Sequence, residues 1–318
     1  MKTTDNIINI PFVKMSAAGN DFVLLDETQL SLQIKYYELL ARKLCNRNYG
    51  VGADGLLVYK RHHTEKFEMG YYNADGSTGG MCGNGARCIS AYHFDVHGKE
   101  RQFVTFTAFG HFYKAKRDGK KISVHMKDPS HLITDLTINV EGIELDCNFI
   151  DTGSPHVVIF FNDLQSTYPD FKYEDFNINH LGSRIRHHEA FRPLGTNVNF
   201  VMPVSAGTIR VRTYERGIEG ETLGCGTGAI ASAVIFSAKS KNVPPVAVQT
   251  KSGEILEVNF SHSEKFKNFS DITLSGTWRY HFWGIAYIDV EDEKNNGIES
   301  IPDSTIQSMR SLTINPDR

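Results

Sequence analysis

One short pattern occurs twice in this chain and constrains its fold more than any other feature. The segment MCGNGA covers residues 81–86, and GCGTGA covers residues 224–229, so both contain Cys-Gly-x-Gly-Ala. A strand-like alternating run and a polar turn precede each copy, at residues 67–76 and 209–217, and a helix-like run follows it, at residues 86–97 and 229–239. The repeat predicts two lobes related by duplication.

The predicted elements also set the limits of the lobes. We expect an N-terminal lobe of residues 1–126, ending after a predicted hairpin at 103–126, and a C-terminal lobe of residues 127–270. A segment at 271–290 is expected to return to the first lobe. Farther from the cysteines, GNDFV at 19–23 is echoed by TNVNFV at 196–201. Residues 291–318 are polar and weakly patterned, which predicts a poorly ordered tail.

The fold class follows from this order of elements. It is α/β in the broad sense, of the α+β kind, with a mostly antiparallel sheet wrapped around a central helix in each of two pseudo-symmetric lobes. The run AIASAVIFSA at 229–238 is apolar on nearly every face, as a buried central helix requires. We expect the active site in the cleft between the lobes.

Composition excludes several classes of function. The 34 Lys and Arg against 37 Asp and Glu give a net charge of −3, so there is no basic field for nucleic acid. The sequence has no apolar run of about 18 residues and no signal-peptide core, so we expect no membrane partner and a cytoplasmic protein. The five cysteines are odd in number and sparse, which predicts reduced thiols.

The position of the repeated cysteines points to acid/base chemistry. Cys82 and Cys225 each precede a helix, and the positive end of a helix can lower a thiol pKa below its free value of about 8.5. The same backbone N–H groups could hold a substrate carboxylate. Two such thiols suit racemisation, because one removes the α-proton and the other protonates the opposite face. The sequence therefore predicts an amino-acid racemase or epimerase without metal or cofactor.

Other interpretations of these features stay open. A Cys outside such a pattern is more often a small buried apolar residue, and we apply that interpretation to Cys45, Cys88 and Cys147. Zinc binding fits poorly, because the Cys and His spacings of zinc sites are absent. Gly-rich loops before helices also hold phosphates, but neither copy has a dinucleotide or P-loop motif. A non-catalytic two-lobed protein that binds amino acids would use the same helix ends.

The chain resembles the diaminopimelate epimerase family over about residues 12 to 290. The motifs that carry the resemblance are GNDFV (19–23), GVGADG (50–55), NADGS (73–77), MCGNGARC (81–88), GSPH (153–156), NVNF (197–200), YERG (214–217) and CGTG (225–228).

This resemblance implies an activity and a set of site residues. The activity is PLP-independent interconversion of LL- and meso-diaminopimelate in lysine and peptidoglycan synthesis, by a homodimer. The acid/base pair would be Cys82 and Cys225, and His156 and Glu215 would tune the pKa values of the thiols. The implied substrate-binding residues are Asn20, Asn73, Gly83, Asn84, Asn197, Glu215, Arg216, Gly226 and Thr227.

The chain departs from the family's pattern at three places. Ser154 stands where many members carry Asn, so a substrate contact is weakened or shifted there. Gly55 stands where some members carry a substrate-binding Gln, and the segment 217–221 is one residue longer than the commoner spacing. The runner-up activity is racemisation of proline, hydroxyproline or histidine, against which the charged pair Glu215 and Arg216 argues.

Overall fold

The structure is a computed structural model that describes residues 7–28, 30, 35–98 and 102–289. It divides the chain into two compact units. Among the described residues, unit 1 comprises those up to 117 and those from 278 onward, and unit 2 comprises residues 118–277. The tail predicted at 291–318 lies outside the described residues.

Seventeen strands and five α-helices make up the described parts of the two units. Unit 1 begins with β1 (Ile7–Ala17), β2 (Asn20–Asp26), α1 (Lys35–Leu44), β3 (Gly55–Lys60), β4 (Phe67–Asn73), α2 (Gly83–Tyr92), a π-helical segment (His93–His97), β5 (Phe103–Ala108) and β6 (His111–Asp118). Unit 2 follows with β7 (Lys121–His125), β8 (Ser130–Val140), β9 (Ile143–Asp151), β10 (Pro155–Phe160), α3 (Phe161–Thr167), α4 (Ile178–Arg186), β11 (Asn197–Ser205), β12 (Thr208–Glu215), β13 (Gly220–Thr222), α5 (Gly226–Ser240), β14 (Val246–Gln249), β15 (Ile255–His262) and β16 (Phe269–Gly276). The final strand, β17 (Arg279–Asp289), belongs to unit 1.

Unit 1 is a mixed sheet around one helix. Strand β1 is antiparallel to both β2 and β17, β2 is parallel to β3, and β3 is antiparallel to β4. Strand β4 is parallel to β5, which forms a hairpin with β6. Every residue of α2 is buried, so this helix is the centre of the unit. A fully buried helix removes its apolar surface from water on all sides and thereby stabilises the sheet around it.

Unit 2 repeats this arrangement. Strand β9 is antiparallel to both β8 and β10, β10 is parallel to β11, and β11 is antiparallel to β12. Strand β12 is parallel to β14, which forms a hairpin with β15. Twelve of the residues in α5 are buried, as predicted for the run at 229–238. The prediction of two pseudo-symmetric α+β units, each built around a central helix, is confirmed.

The strand registers show which residues occupy equivalent places in the two units. Phe22 on β2 pairs with Gly55 on β3, and His156 on β10 pairs with Asn197 on β11. Phe22 therefore corresponds to His156. Three residues earlier in each unit lie Gly19 and Gly153, which both have positive φ, of 86° and 97°. Asn20 therefore corresponds to Ser154. The expected echo between residues 19–23 and 196–201 is wrong, because both segments start strands but the two strands occupy different places in the sheets.

The division between the units also differs from the predicted boundaries at 126 and 271. Strands β7 and β16 pair with each other in antiparallel fashion, so both belong to unit 2. The hairpin of unit 1 ends with β6 and turns at Phe109 and Gly110, which both have positive φ. The sequence pattern indicates that β7 is a strand. It does not indicate which strand β7 pairs with, because that partner lies about 150 residues later in the chain.

No helix within the described ranges is long and apolar enough to cross a membrane.

Candidate active site

Cys82 is the N-cap residue of α2. Its backbone is extended, with φ of −105° and ψ of 110°, and its Sγ accepts a hydrogen bond from the Gly85 N–H at 3.4 Å. The side chain is partly exposed. The helix dipole and this N–H both favour negative charge on the sulfur. The placement predicted from the motif is therefore present in unit 1.

Cys225 takes the same position at the start of α5. Its φ and ψ are −108° and 116°, and its Sγ accepts from the Gly228 N–H at 3.4 Å. The hydroxyl of Thr227 lies 3.4 Å from the same sulfur. Cys225 is 8% exposed. Each unit thus contains a thiol held by the first turn of its central helix, a position suited to a proton donor or acceptor.

The glycine three residues after each cysteine is required by close packing. A Cβ on Gly228 would lie 2.4 Å from Asn199 Oδ1, and a Cβ on Gly85 would lie 2.9 Å from Leu57 Cδ2. Both neighbours belong to the strand that crosses beneath the helix, at equivalent registers. The Cys-Gly-x-Gly spacing therefore brings the sulfur, the N–H groups and the sheet together within one helical turn.

We call the polar residues beside Cys82 the first half-site and those beside Cys225 the second half-site. A chain of hydrogen bonds orients the amides of the first half-site. The buried guanidinium of Arg87 donates to Asn84 Oδ1 at 2.8 Å, so the Asn84 amide group faces Asn20 and donates to its Oδ1. Asn20 in turn donates to the carboxylate of Asp54 at 3.1 Å. These donor and acceptor pairs determine the orientation of the Asn20 and Asn84 amides beside the Cys82 helix end.

A charged cluster supports this half-site and was not predicted from the sequence. Asp21 follows Asn20 and accepts from Lys14 at 2.7 Å and from Arg47 at 2.8 Å. Burial alone would raise the pKa of Asp21, but the hydrogen bonds and positive charges of Arg47 and Lys14 lower it to about 2. Arg47 also pairs with Asp54 at 2.7 Å. The only sequence signal was the acidic residue within each of the motifs at 19–23 and 50–55.

Asn73 lies at the end of β4, apart from these hydrogen bonds. Its Nδ2 donates to Ser77 Oγ at 2.9 Å, and its backbone N–H donates to the Ser77 carbonyl. On the neighbouring strand, a Cβ on Gly55 would lie 2.4 Å from the Tyr71 ring. Tyr71 thus fills the space that a longer side chain at position 55 would need, which explains the glycine there.

The second half-site contains the predicted polar residues of unit 2. Asn197 donates to the Pro155 carbonyl at 2.9 Å and accepts from the Arg216 backbone N–H at 2.8 Å. Arg216 and Glu215 are partly exposed at the end of β12. The chain turns between β12 and β13, where Gly217 and Glu219 have positive φ. Thr227 is tied to Thr152, whose hydroxyl donates to the Thr227 carbonyl at 3.3 Å.

His156 is completely buried beneath this half-site. Its ring nitrogens lie 3.0 Å from Ser154 Oγ and 3.1 Å from Asn199 Nδ2. Burial, and secondarily the positive charge of Arg216, lowers the pKa of His156 to about 3. The imidazole is therefore neutral at physiological pH and serves as a hydrogen-bonding group.

The two half-sites differ in the residues that lie at equivalent registers. Unit 1 has Phe22, Leu57 and Tyr71, where the Phe22 and Tyr71 rings meet edge to face at 6.2 Å. Unit 2 has the hydrogen-bonded set His156, Asn199 and Thr213. The duplicated frame thus places an apolar set in unit 1 and a polar set in unit 2.

The other three cysteines are buried, as expected from the sequence. Burial raises the pKa of the Cys45 and Cys147 thiols to about 12. All five cysteines are thiols in the described part of the chain. Among the residues described, no three His, Cys, Asp or Glu side chains cluster so that they could hold a metal ion.

Known proteins resemble this chain along most of its length. The family model described as diaminopimelate epimerase matches residues 12–132 and 148–268. The diaminopimelate epimerase of Aquifex aeolicus strain VF5 is 41% identical over 267 residues, which cover 80% of this chain and 91% of that protein. That of Chlorobaculum tepidum is 36% identical over 250 residues, which cover 78% and 91%.

Solved structures with little sequence identity share the fold. A hydroxyproline epimerase from Agrobacterium vitis matches with a TM-score of 0.63 at 12% identity, covering 91% of this chain and 94% of that one. A phenazine biosynthesis protein of the PhzF family from Bacillus anthracis matches with a TM-score of 0.65 at 13% identity, covering 88% and 99%.

The glycines three residues after each cysteine, Gly85 and Gly228, provide a matched pair of stability variants. We expect Gly228→Ala to lower the free energy of unfolding by about 1–3 kcal/mol, since the new methyl meets a buried, hydrogen-bonded amide. Gly85→Ala should lower it by less, by about 1 kcal/mol, because the Leu57 and Met69 atoms that the new methyl meets are side-chain ends that can shift. Denaturant titration measures both, and equal costs would contradict the packing described here.

The low pKa of His156 predicts how stability depends on pH. The unfolded chain binds a proton near pH 6.5 that the folded chain excludes until about pH 3, so stability falls as the pH drops through this interval. The expected loss is about 2 kcal/mol between pH 6.5 and 5. His156→Gln should remove this component, while His63→Gln, at an exposed histidine, should retain it. Denaturant titrations at both pH values test this, and an unchanged slope in His156→Gln would contradict it.

Proposed function

The chain belongs to the diaminopimelate epimerase family, and we propose that it interconverts LL- and meso-2,6-diaminopimelate with the thiols of Cys82 and Cys225 as its two acid/base groups. The observation that carries this proposal is the repeated geometry of the two N-cap cysteines. The reaction supplies meso-diaminopimelate for lysine and peptidoglycan synthesis.

Two separate acid/base groups account for inversion at the α-carbon. One sulfur, as thiolate, removes the α-proton, and the other, as thiol, delivers a proton to the opposite face. In the reverse direction the roles exchange. A single group would return the proton to the face from which it came, so inversion calls for one group on each face of the carbon. The proposed chemistry therefore requires one thiol on each face of the α-carbon.

The helix N-termini are suited to hold the carboxylate next to the reacting carbon. Removing the α-proton spreads negative charge onto this carboxylate, and preorganised N–H donors stabilise such charge in the transition state. We assign this role to the backbone of Gly83 and Asn84 in unit 1 and of Gly226 and Thr227 in unit 2. The first N–H groups of an α-helix point toward its N-terminal end, where the positive end of the dipole favours an anion, so they are suited to such a ligand.

The remaining polar residues would recognise the distal amino-acid end of the substrate. A guanidinium has five N–H donors, of which Arg216 directs one to the Leu194 carbonyl at 3.4 Å within the described part of the chain, and the others can bind a distal carboxylate. Glu215 would pair with the distal amino group, and Asn20, Asn73 and Asn197 would bind its other polar atoms. In this proposal Glu215 and His156 also tune the pKa values of the thiols.

The same proposal includes the cofactor requirement, the cellular location and the oligomeric state of the enzyme. The enzyme acts on a small molecule, needs no PLP or metal, and works in the cytoplasm as a homodimer. Analytical ultracentrifugation of the purified protein tests the dimer directly, since a monomer at micromolar concentration would contradict it.

Deuterium transfer tests the proposed chemistry. In deuterated water, the protein incubated with LL-diaminopimelate without PLP or metal should form meso product that carries α-deuterium. Cys82→Ser and Cys225→Ser should each lower kcat by about 10²- to 10⁴-fold, because each removes one acid/base group. Mass spectrometry and chiral chromatography measure label and product together.

Cys147→Ala is the matched control, because it removes a buried thiol of unit 2 that the mechanism does not use. Its turnover should stay within a few-fold of the unaltered chain. Retained turnover in either serine variant would overturn the two-thiol mechanism. Exchange with proline or hydroxyproline but not with diaminopimelate would overturn the substrate, and ligand binding without any exchange would indicate a non-catalytic binding protein.

A further inference from the structure

Asn199 is a completely buried amide that links three elements of unit 2. Its Nδ2 lies 2.9 Å from the Val157 carbonyl, and its Oδ1 accepts from the Thr213 hydroxyl at 2.9 Å. A carbonyl oxygen can only accept hydrogen bonds, so the group that faces Val157 must be the NH₂. The orientation of the amide is therefore determined by its surroundings.

This orientation determines the tautomer of His156. The second hydrogen of Asn199 Nδ2 is directed to His156 Nδ1, 3.1 Å away. Nδ1 must then accept a hydrogen bond, and a neutral imidazole with an acceptor at Nδ1 carries its hydrogen on Nε2. His156 Nε2–H donates to Ser154 Oγ at 3.0 Å.

The same reasoning applies to Ser154. Asn197 is oriented by the Pro155 carbonyl and by the Arg216 backbone N–H, and its Nδ2 makes a long contact of 3.5 Å with Ser154 Oγ. The two lone pairs of this hydroxyl thus face two N–H donors. A hydroxyl has one hydrogen and two lone pairs, so Ser154 keeps only its own hydrogen for a further partner.

The location of Ser154 indicates where that partner comes from. Ser154 is partly exposed and immediately precedes β10, at the place where unit 1 has Asn20. A hydroxyl that can only donate will bind a carboxylate oxygen, and will not bind an ammonium group, which also only donates. The chemistry of the partner is thereby restricted to an anion or another acceptor.

We propose that Asn199 is a positioning residue that, through His156, makes the Ser154 hydroxyl a dedicated hydrogen-bond donor to a carboxylate oxygen of the substrate. The role of Ser154 rests on the proposed function, whereas the tautomer of His156 does not. In unit 1, Phe22 takes the place of His156 and Leu57 takes the place of Asn199. This hydrogen-bonded arrangement therefore belongs to the second half-site alone.

The tautomer can be measured without substrate. Nitrogen-15 NMR of the unaltered protein at pH 7 should show a neutral His156 with its hydrogen on Nε2, assigned by the loss of the signal in His156→Gln. In Asn199→Asp the carboxylate accepts from Nδ1, so His156 should become protonated or carry its hydrogen on Nδ1. A hydrogen on Nδ1 in the unaltered protein would overturn the proposal, whatever the enzyme's activity.

Kinetics test the contact with substrate. Ser154→Ala should lower kcat/KM for LL-diaminopimelate by about 10- to 100-fold, as expected for losing a hydrogen bond to a charged group. Ser154→Thr, which keeps a hydroxyl, should recover most of this loss. Unchanged kcat/KM in Ser154→Ala, or no recovery in Ser154→Thr, would overturn the role of Ser154.

A double-mutant cycle distinguishes positioning from a structural effect. If Asn199 acts through Ser154, the Asn199→Asp loss should be smaller when Ser154 is already alanine, so that the two losses do not add. Fully additive losses would overturn the linkage. Failure of the proposed function gives a different result, because an unaltered protein without epimerase activity would still show the predicted tautomer.

Discussion

The contact between each cysteine sulfur and the first turn of the helix behind it is the interaction on which the rest of the structure depends. The N–H three residues along the chain donates to Sγ within the first helical turn, and a Cβ on that residue would lie within 3 Å of a side chain on the strand beneath. The strand beneath the helix must in turn present a side chain of suitable size. The cysteine, the glycine and the strand residue are thus linked through the first turn of each central helix.

The duplicated frame allows two units to share this contact while differing in what lies below it. In unit 1 the apolar residues Phe22, Leu57 and Tyr71 take these places, and Asn20 and the buried Asn84 make the hydrogen bonds. In unit 2 a buried polar set takes the equivalent places. Buried polar groups are tolerated only when their hydrogen bonds are made, and the contacts of Asn199 satisfy both ends of its amide. The two thiols therefore lie in different surroundings.

Local sequence reasoning succeeded where the cause is local. An N-cap cysteine, a Gly-rich first turn and an apolar helix lie within a few residues of one another, so the repeat predicted both helix ends and the buried central helix. It failed where the cause is remote. The echo between residues 19–23 and 196–201 compared two strand starts that look alike, but parallel pairing of β10 with β11 assigns Ser154 to the place of Asn20.

The sequence by itself determined that this chain contains two related α+β units, that Cys82 and Cys225 begin their central helices, and which family its motifs belong to. These properties depend on neighbouring residues and on residue identity alone. Only the tertiary structure decided that β7 belongs with β16, that His156 is buried and neutral, and that Asn199 is its hydrogen-bond partner. Strand partners, burial and amide orientation are set by groups distant in the chain, so no local pattern records them.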